Sequence, residues 1–476
     1  MRHATFALAL ISGGLLANAA SAADLPAKMP VKAAPAAGYS WTGFYLGVNA
    51  GYGVARNSST LFNFSNPPPG AQNFADSWYV SPAGFVGGVQ GGYNYQIDRW
   101  VFGIEADFQG SDQKDSACLI CTPTVGSFNV EQKLAWFGTV RGRIGWAAGP
   151  VFSYFTGGWA YGQVQTDLAI GSPGFATTAG STHENRSGWT IGTGVEAAIA
   201  ENWTAKVEYL YMSLGSTELP FTNSGTGASR TMVTSEIRDR IIRAGLNYRF
   251  GPTTGTGSAT FPAPTFRNWA GFYAGGNGGY GVSRNASTLA ITVGGIPLDN
   301  DQWTETPGGY FAGGQLGYAW QTGPLVYGVE TDFQGGSLKD DNACLLLCGS
   351  TTFNETVEQK MQWFGTLRGR AGYAAGPALF YVTGGLAYGN VKTTVTEAVP
   401  VGGLISSASV SETKTGWTIG AGAEAPLWGN WTAKTEYLYM DLGSSSLAFT
   451  TAVPTSIAFN SDIRTHIFRG GLNYHF

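Results

Sequence analysis

Apolar and polar residues alternate along many short segments of this chain, a pattern typical of β-strands, whose successive side chains point to opposite faces. From Trp203 to Tyr211, for example, the odd positions are all aromatic or aliphatic. The even positions between them include Thr204, Lys206 and Glu208. The pattern predicts eight strands in the first half of the chain, near 42–54, 84–97, 100–111, 131–146, 150–165, 187–199, 202–214 and 238–250.

The connections between these segments alternate strictly in length. Short turns lie at 97–99, 147–149 and 200–202, and long connections follow the first, third, fifth and seventh strands. Transmembrane β-barrels combine short periplasmic turns with longer external loops, and each tilted crossing needs about 9–11 residues. The sequence therefore predicts an all-β, antiparallel, transmembrane β-barrel.

The second half of the chain repeats the first. WTGFYLGVNAGYGVARNSSTL at 41–61 returns as WAGFYAGGNGGYGVSRNASTL at 269–289, and both copies close on a similar strand, ending at Phe250 and Phe476. Two long copies indicate duplicated domains rather than a solenoid. The predicted organisation is a signal peptide at 1–22, an Ala/Pro-rich linker at 23–40, a first barrel at 41–250, a linker at 251–268 and a second barrel at 269–476.

Sixteen strands can close in two ways. We predict two tandem eight-stranded barrels, because each copy has its own closing strand and the linker is long for a periplasmic turn. The alternative is one sixteen-stranded barrel, which would be porin-sized and could leave an aqueous channel.

Composition is consistent with export and a lipid environment. Charged residues are only 12% of the chain, against roughly 25% in typical globular proteins. Residues 1–22 carry Arg2, an apolar stretch and an Ala20-Ser21-Ala22 cleavage site, as in a secretory signal peptide. A net charge of -4 without a basic patch argues against binding to nucleic acid.

Charges on the polar strand faces balance within each copy. Four acidic and four basic residues point towards each predicted lumen, which in an eight-stranded barrel is just wide enough for side chains to fill. Because unpaired buried charges are costly, we predict ion pairing that plugs each lumen rather than ion conduction. The sets are Glu105, Asp107, Arg141, Arg143, Glu196, Lys206, Glu208 and Arg243, and Glu330, Asp332, Arg368, Arg370, Glu424, Lys434, Glu436 and Arg469.

Each copy carries two close cysteines in its second long loop. They are Cys118 and Cys121 in CLIC, and Cys344 and Cys348 in CLLLC. In an exported chain we predict that each pair forms a structural disulfide. Metal binding or redox activity is the alternative, but the spacing differs between the copies and no histidine cluster accompanies either pair. A free pair of thiols is a further alternative.

No cofactor or enzyme signature stands out. GTGVEA at Gly192 and GAGAEA at Gly420 match a dinucleotide-binding pattern, but that pattern requires a helix to begin where here a strand continues. None of the four histidines repeats between the copies, and no acid or base is placed beside a nucleophile in both. We predict no catalytic site, no cofactor and no metal.

The chain resembles the outer membrane immunogenic proteins, small surface antigens of alphaproteobacteria. The resemblance is carried by ADLP at Ala23, WTGFYLG at Trp41, WFGTVRGRIG from Trp136, NWTAKVEYLY from Asn202 and the terminal GLNYRF motif. It implies an OmpA-type eight-stranded barrel in the cell outer membrane. It also implies delivery to the outer-membrane barrel assembly machinery through the C-terminal aromatic residue, here Phe476.

These observations together predict a structural, surface-exposed protein that contributes to envelope integrity. Its partners would be outer-membrane lipid and lipopolysaccharide, with an unknown surface ligand at the external loops, where the copies differ most. The alternative is a porin-type passive transporter of small solutes through a single sixteen-stranded pore.

Overall fold

The computed structural model describes nine stretches of the chain, all within one compact unit, Ala36–Phe476. The predicted signal peptide and most of both predicted linkers lie outside these stretches, as does Cys348. No helix among the described residues is long and apolar enough to cross a membrane. The described residues are 39–65, 74–122, 126–171, 178–223, 229–251, 268–346, 354–399, 404–451 and 455–476.

The first copy forms a closed antiparallel barrel of eight strands, in which β1 pairs with both β4 and β10. The hairpin β2–β3 extends beyond the barrel and pairs through β2 with the far end of β10. The strands are β1 (Gly43–Ala55), β2 (Asn57–Ser65), β3 (Phe74–Val80), β4 (Ala83–Ile97), β5 (Trp100–Thr122), β6 (Gly126–Ala148), β7 (Val151–Gly171), β8 (Thr178–Ala198), β9 (Trp203–Asn223) and β10 (Ser229–Arg249).

The second copy repeats this topology, since β11 pairs with both β14 and β20 and the hairpin β12–β13 lies beyond the barrel. Its strands are β11 (Gly271–Ser283), β12 (Asn285–Val293), β13 (Ile296–Glu305), β14 (Gly308–Thr322), β15 (Leu325–Leu346), β16 (Asn354–Ala375), β17 (Ala378–Val399), β18 (Leu404–Trp428), β19 (Trp431–Thr450) and β20 (Thr455–His475).

The predicted fold class is confirmed, with two differences in extent. All eight strands predicted for the first copy are present, but six of them run about 5–11 residues further at the end that carries the long connections, which we call the loop end. The opposite end is the turn end. The cysteines predicted in a loop therefore begin on a strand, because Cys118 belongs to the extended β5. The hairpins β2–β3 and β12–β13 were not predicted.

An apolar band surrounds the half of each barrel nearer the turn end. There Ile104 is 67% exposed on the outer face of β5, whereas its neighbour Glu105 is 1% exposed and points inward. Towards the loop end the pattern inverts, since Ala117 and Leu119 point inward and are buried. A strand with this inversion crosses lipid only in its first half, so the membrane-spanning segment of β5 is near 100–110.

A β-bulge explains why alternation along β6 is irregular. Arg141 and Arg143, at odd positions, face the lumen, but nearer the loop end the inward residues are Val130 and Leu134, at even positions. The pairing with β7 shifts register between Leu134 and Trp136, so one extra residue reverses the parity. The second copy has the same shift between Met361 and Trp363.

Beyond the apolar band, strands of the two copies pair with each other. Gln302 of β13 bridges to Cys118 of β5, and Ser77 of β3 bridges to Cys344 of β15. These two junctions complete a ring of sixteen strands at the loop end, in the order β5 to β10, β2, β3, β15 to β20, β12 and β13. The copies are thus separate barrels within the band and share one ring of strands beyond it.

Reciprocal contacts accompany this ring. The Arg56 guanidinium donates to the Thr306 carbonyl at 2.7 Å, and at the equivalent position of the other copy Arg284 donates to the Ser81 carbonyl at 2.7 Å. Arg284 also pairs with Asp115 at 2.8 Å. Equivalent surfaces of the two copies therefore contact each other reciprocally, as in an isologous interface, but within one chain.

An apolar cluster lies inside the shared ring. It contains Trp78, Leu119 and Leu168 from the first copy together with Trp303 and Phe459 from the second, all at most 3% exposed. Because residues of both copies form this core, its packing joins them at the loop end.

Phe459→Ala tests this core. Phe459 is 1% exposed and packs on Trp303 with ring centroids 6.0 Å apart. We expect the substitution to lower the free energy of unfolding by about 3–5 kcal/mol, as for other Phe→Ala changes in cores. Urea titration of the refolded protein, followed by heat-modifiable gel mobility, measures it. Ile405→Ala is the control, since Ile405 is 73% exposed; equal effects of the two changes would contradict the shared core.

Candidate functional site

A layer of charged side chains crosses the lumen of the first barrel. Arg141 is at its centre, within 3.0 Å of Asp107 and 2.9 Å of Glu208, and also pairs with Glu105. Arg243 reaches Asp107 at 2.8 Å and Glu208 at 2.7 Å. Every one of these side chains is 0% exposed. Each charge therefore has several opposite charges as neighbours.

The remaining predicted lumen charges of this copy join the same layer. Lys206 donates to Glu105 at 2.9 Å, and Arg143 reaches Glu196 at 2.6 Å. Strand register produces these neighbours, because Glu105 lies directly opposite Arg141 and Glu196 directly opposite Lys206 in adjacent strands. Opposite charges at directly paired positions stabilise the register of a sheet.

The second barrel contains the same layer. Arg368 reaches Asp332 at 3.0 Å and Glu436 at 3.0 Å, and it also pairs with Glu330. The structure thus brings together all sixteen residues predicted to face the lumens, eight in each barrel. The other pairs join Arg370 to Glu330 and Glu424, Lys434 to Glu330, and Arg469 to Asp332 and Glu436.

Aromatic hydroxyls, which were not predicted, complete the layer. In the first copy Tyr45 donates to Glu105 at 2.8 Å and accepts from Arg143 at 2.7 Å, while Tyr154 donates to Glu208 at 3.0 Å. Tyr273 and Tyr381 repeat these contacts in the second copy. The signal was present for Tyr45, whose position in β1 has the parity opposite to its apolar neighbours Phe44 and Leu46.

Apolar side chains close the first lumen on both sides of the charges. At the turn end Trp41 is 0% exposed, packs with Val101 and Phe152, and donates from its indole to the Gly149 carbonyl at 3.0 Å. Towards the loop end a cluster that includes Phe137 fills the interior. The charged layer is therefore enclosed between two apolar layers.

The second lumen has equivalent layers, in which Trp269 corresponds to Trp41 and Phe364 to Phe137. One difference is His475, whose Nε2 lies 3.2 Å from Glu424 where the first copy carries Arg249. Among the described residues no group of His, Cys, Asp and Glu side chains has the arrangement of a metal site.

The cysteines lie at the loop end. Cys118 and Cys121 form a disulfide with their Cα atoms 5.9 Å apart. Cys344 is also disulfide-bonded, and its predicted partner Cys348 lies outside the described residues. Because Cys118 and Cys344 are also the residues that bridge to the opposite copy, both disulfides are placed at the inter-copy junctions.

Comparison with known proteins shows the family. The model of the outer membrane protein β-barrel domain matches residues 25–250 and again 254–476. The chain belongs to the outer membrane β-barrel protein family. The predicted resemblance and the predicted outer-membrane location are confirmed, so the turn end of this barrel protein is periplasmic and the loop end extracellular.

Relatives within this outer membrane β-barrel group match a single copy. The 31 kDa outer-membrane immunogenic protein of Brucella melitensis is 38% identical over 240 residues, which are 50% of this chain and 95% of that protein. The 25 kDa outer-membrane immunogenic protein of Brucella abortus is 29% identical over 250 residues, 51% of this chain and 97% of that protein. The 22 kDa outer membrane protein of Rhizobium leguminosarum is 35% identical over 185 residues, 38% of this chain and 69% of that protein.

The extracellular interior differs between the two β-barrel copies. Three inward positions that are apolar in the first copy are acidic in the second, and all three acidic side chains are buried. The substituted pairs are Val80 and Glu305, Phe128 and Glu355, and Ile170 and Glu397.

Glu355 is the most isolated of these acids. It is 0% exposed, and neither carboxylate oxygen has a hydrogen-bond partner among the described residues. Burial, with the charges of Asp299 and Glu397, raises the pKa of Glu355 to about 8. The group lies on β16 beyond the apolar band, and in the folded protein it favours its neutral form.

Lys206→Met tests the lumen layer of this outer membrane β-barrel. Removing the ammonium leaves Glu105 and Glu208 with fewer opposite charges in a buried site, so we expect a loss of about 3–5 kcal/mol in the free energy of unfolding. Urea titration in detergent micelles measures it. Arg186→Met is the control, since its pair with Glu184 is partly exposed, with side chains 33% and 26% accessible, and should contribute at most about 1 kcal/mol.

Glu355→Phe tests the acidic interior, because it installs the residue of the other copy. The folded-state pKa of Glu355 is raised from 4.5 to about 8, so its neutral form supports the fold below pH 4.5 and that support is lost as the pH rises through about 8. We expect Glu355→Phe to stabilise the protein more at pH 9 than at pH 5, by about 1–3 kcal/mol. Unfolding midpoints at the two pH values measure it. The exposed Glu358→Gln should show no such difference, and a pH-independent effect of Glu355→Phe would contradict the assignment.

Proposed function

We propose that this protein is a structural, surface-exposed component of the outer membrane that conducts no ions. The observation that carries the proposal is the filled lumen. Each barrel is crossed by a buried, mutually paired layer of eight charges, with apolar layers on both sides. A lumen packed in this way leaves side chains, not water, along its axis.

The fused extracellular ring adds to the structural role. Joining two barrels through paired strands and a common core gives the pair a fixed relative orientation at the cell surface. We propose that lipid and lipopolysaccharide surround the pair, that the loops beyond the ring present any surface ligand, and that no catalytic activity is involved. The exposed terminal Phe476, 77% accessible, is proposed as the signal to the assembly machinery.

Passive transport through a single sixteen-stranded pore is the alternative. It would require the strand ring to continue through the bilayer, whereas within the apolar band β1 pairs with β10 and β11 with β20. The ring itself contains a buried apolar cluster, which disfavours an aqueous path. These features favour the structural role.

Single-channel recording in planar bilayers tests the proposal. We expect purified, refolded protein, shown to be inserted by heat-modifiable mobility, to give no stepwise current because both lumens are filled. Large, stable steps from the unmodified chain would make it a porin and refute the proposal.

A lumen variant and a matched control show whether the absence of current is due to the filled lumen. Arg141→Ala with Arg243→Ala removes the two central guanidinium groups of the first lumen, so small transient currents are expected. Val140→Ala is the control, since Val140 is 48% exposed on the outer face and should leave the protein silent.

A further inference from the structure

An apolar groove runs between the outer walls of the two barrels within the membrane. Its cavity volume is about 1630 Å³, larger than the roughly 300–1,000 Å³ of common small-molecule pockets. One wall includes Trp100, Ile144 and Phe155 of the first copy, and the other is built by β11, β19 and β20 of the second. Both walls belong to faces that point into lipid, so the groove is continuous with the bilayer interior.

The floor of the groove includes positions where the second copy has smaller residues than the first. Three outward residues of β1 are larger than their counterparts on β11. The pairs are Leu46 and Ala274, Val48 and Gly276, and Ala50 and Gly278. All three β11 residues line the groove.

Backbone packing does not require a glycine at position 276. A Cβ atom placed on Gly276 would have its nearest contact at 3.7 Å, with the Gly313 carbonyl, which is ordinary van der Waals distance. A larger residue, like the Val48 of the first copy, would therefore fit the strand itself. What it would change is the space beside the strand.

The groove has a distinct periplasmic mouth. Trp100 and Trp146 meet there with ring centroids 5.3 Å apart, and Trp431 lies on the opposite wall. Arg99 places its guanidinium 5.6 Å from the Trp146 ring centroid, beside Asp98 in the same short turn. Aromatic rings at the depth of the headgroups and a guanidinium nearby are the groups that contact phospholipid at a membrane interface.

At the other end Tyr209 packs against Phe468, with ring centroids 5.2 Å apart, as part of an apolar cluster that both copies share. The tryptophans and Arg99 lie at the periplasmic end, so the headgroup that they would contact belongs to a lipid of the periplasmic leaflet. This placement distinguishes a periplasmic-leaflet phospholipid from lipopolysaccharide, which belongs to the outer leaflet.

We propose that this groove is a binding site for one glycerophospholipid of the periplasmic leaflet. An acyl chain lies along the floor formed by Ala274, Gly276 and Gly278, and the headgroup phosphate lies near Arg99. The ligand fills the space between the barrels with apolar contacts. The site depends on the membrane-spanning fold and is independent of whether either lumen conducts.

Native mass spectrometry of the full chain tests the site. The protein is reconstituted with phosphatidylglycerol as the probe, extracted in mild detergent, and scored for the fraction that retains one lipid. Gly276→Leu fills the floor and should lower retention about tenfold, which corresponds to about 1.4 kcal/mol of binding free energy. Ala274→Leu, which installs the residue of the first copy, should also lower lipid retention. It is used in place of Gly276→Leu if that variant does not fold.

Gly369→Leu is the matched control. Gly369 also faces lipid, on β16, with its nearest contact to an added Cβ at 3.9 Å, but it does not line the groove. Its lipid retention should equal that of the unmodified chain, and Arg99→Gln should weaken retention through the headgroup. The proposal is overturned if the unmodified chain retains no phospholipid, if Gly276→Leu and Gly369→Leu behave alike, or if added lipopolysaccharide displaces the probe.

Discussion

Electroneutrality inside each barrel is the constraint on which the rest of the structure depends. Eight charges are buried in a lumen lined by packed side chains, so each must contact opposite charge or hydrogen-bonding groups of adequate geometry. The strand register supplies this directly by placing Glu105 opposite Arg141 and Glu208 opposite Arg243. A slip of one residue in any of these strands would turn its charges into lipid. The charges therefore specify register even where replacing them with apolar groups would leave stability unchanged.

That constraint also explains which parts of the copies stayed alike. All eight lumen charges, the tyrosines that bond to them and the tryptophan at the turn end recur in both barrels. Outside the lumen the copies are freer to differ, and they differ where they face each other. β11 has smaller residues than Leu46 and Val48 of β1, and the ring interior has Glu355 where the first copy has Phe128. Two copies in one chain can diverge in this way, because each face of the interface is encoded separately.

The alternation of apolar and polar residues predicted the membrane-spanning half of the fold. There the outward residues contact lipid and are apolar, whereas the inward residues between them are polar or charged. Ile104 and Glu105 are the clearest example. The same alternation did not predict the strands beyond the band, where the interior is apolar and the exterior polar. The inward position of Leu119 therefore did not indicate that β5 continues. The bulge beside Trp136 reversed parity within one strand. The hairpins β2–β3 and β12–β13 were missed for another reason. β2 and β12 pair with the extended ends of β10 and β20, and β3 and β13 pair at the junctions with strands of the other copy.

Whether the strands close as two barrels or as one ring depends on their depth in the membrane. In lipid, a strand edge without a partner leaves backbone groups unsatisfied, so each copy must close on itself and β1 takes both β4 and β10 as partners. Beyond the band water can satisfy an edge, and closure within a copy is no longer compulsory. There the edges of β3 and β13 pair with β15 and β5 of the opposite copy instead. Duplication makes that exchange intramolecular, so the entropy cost of bringing two barrels together is lowered by the chain that joins them.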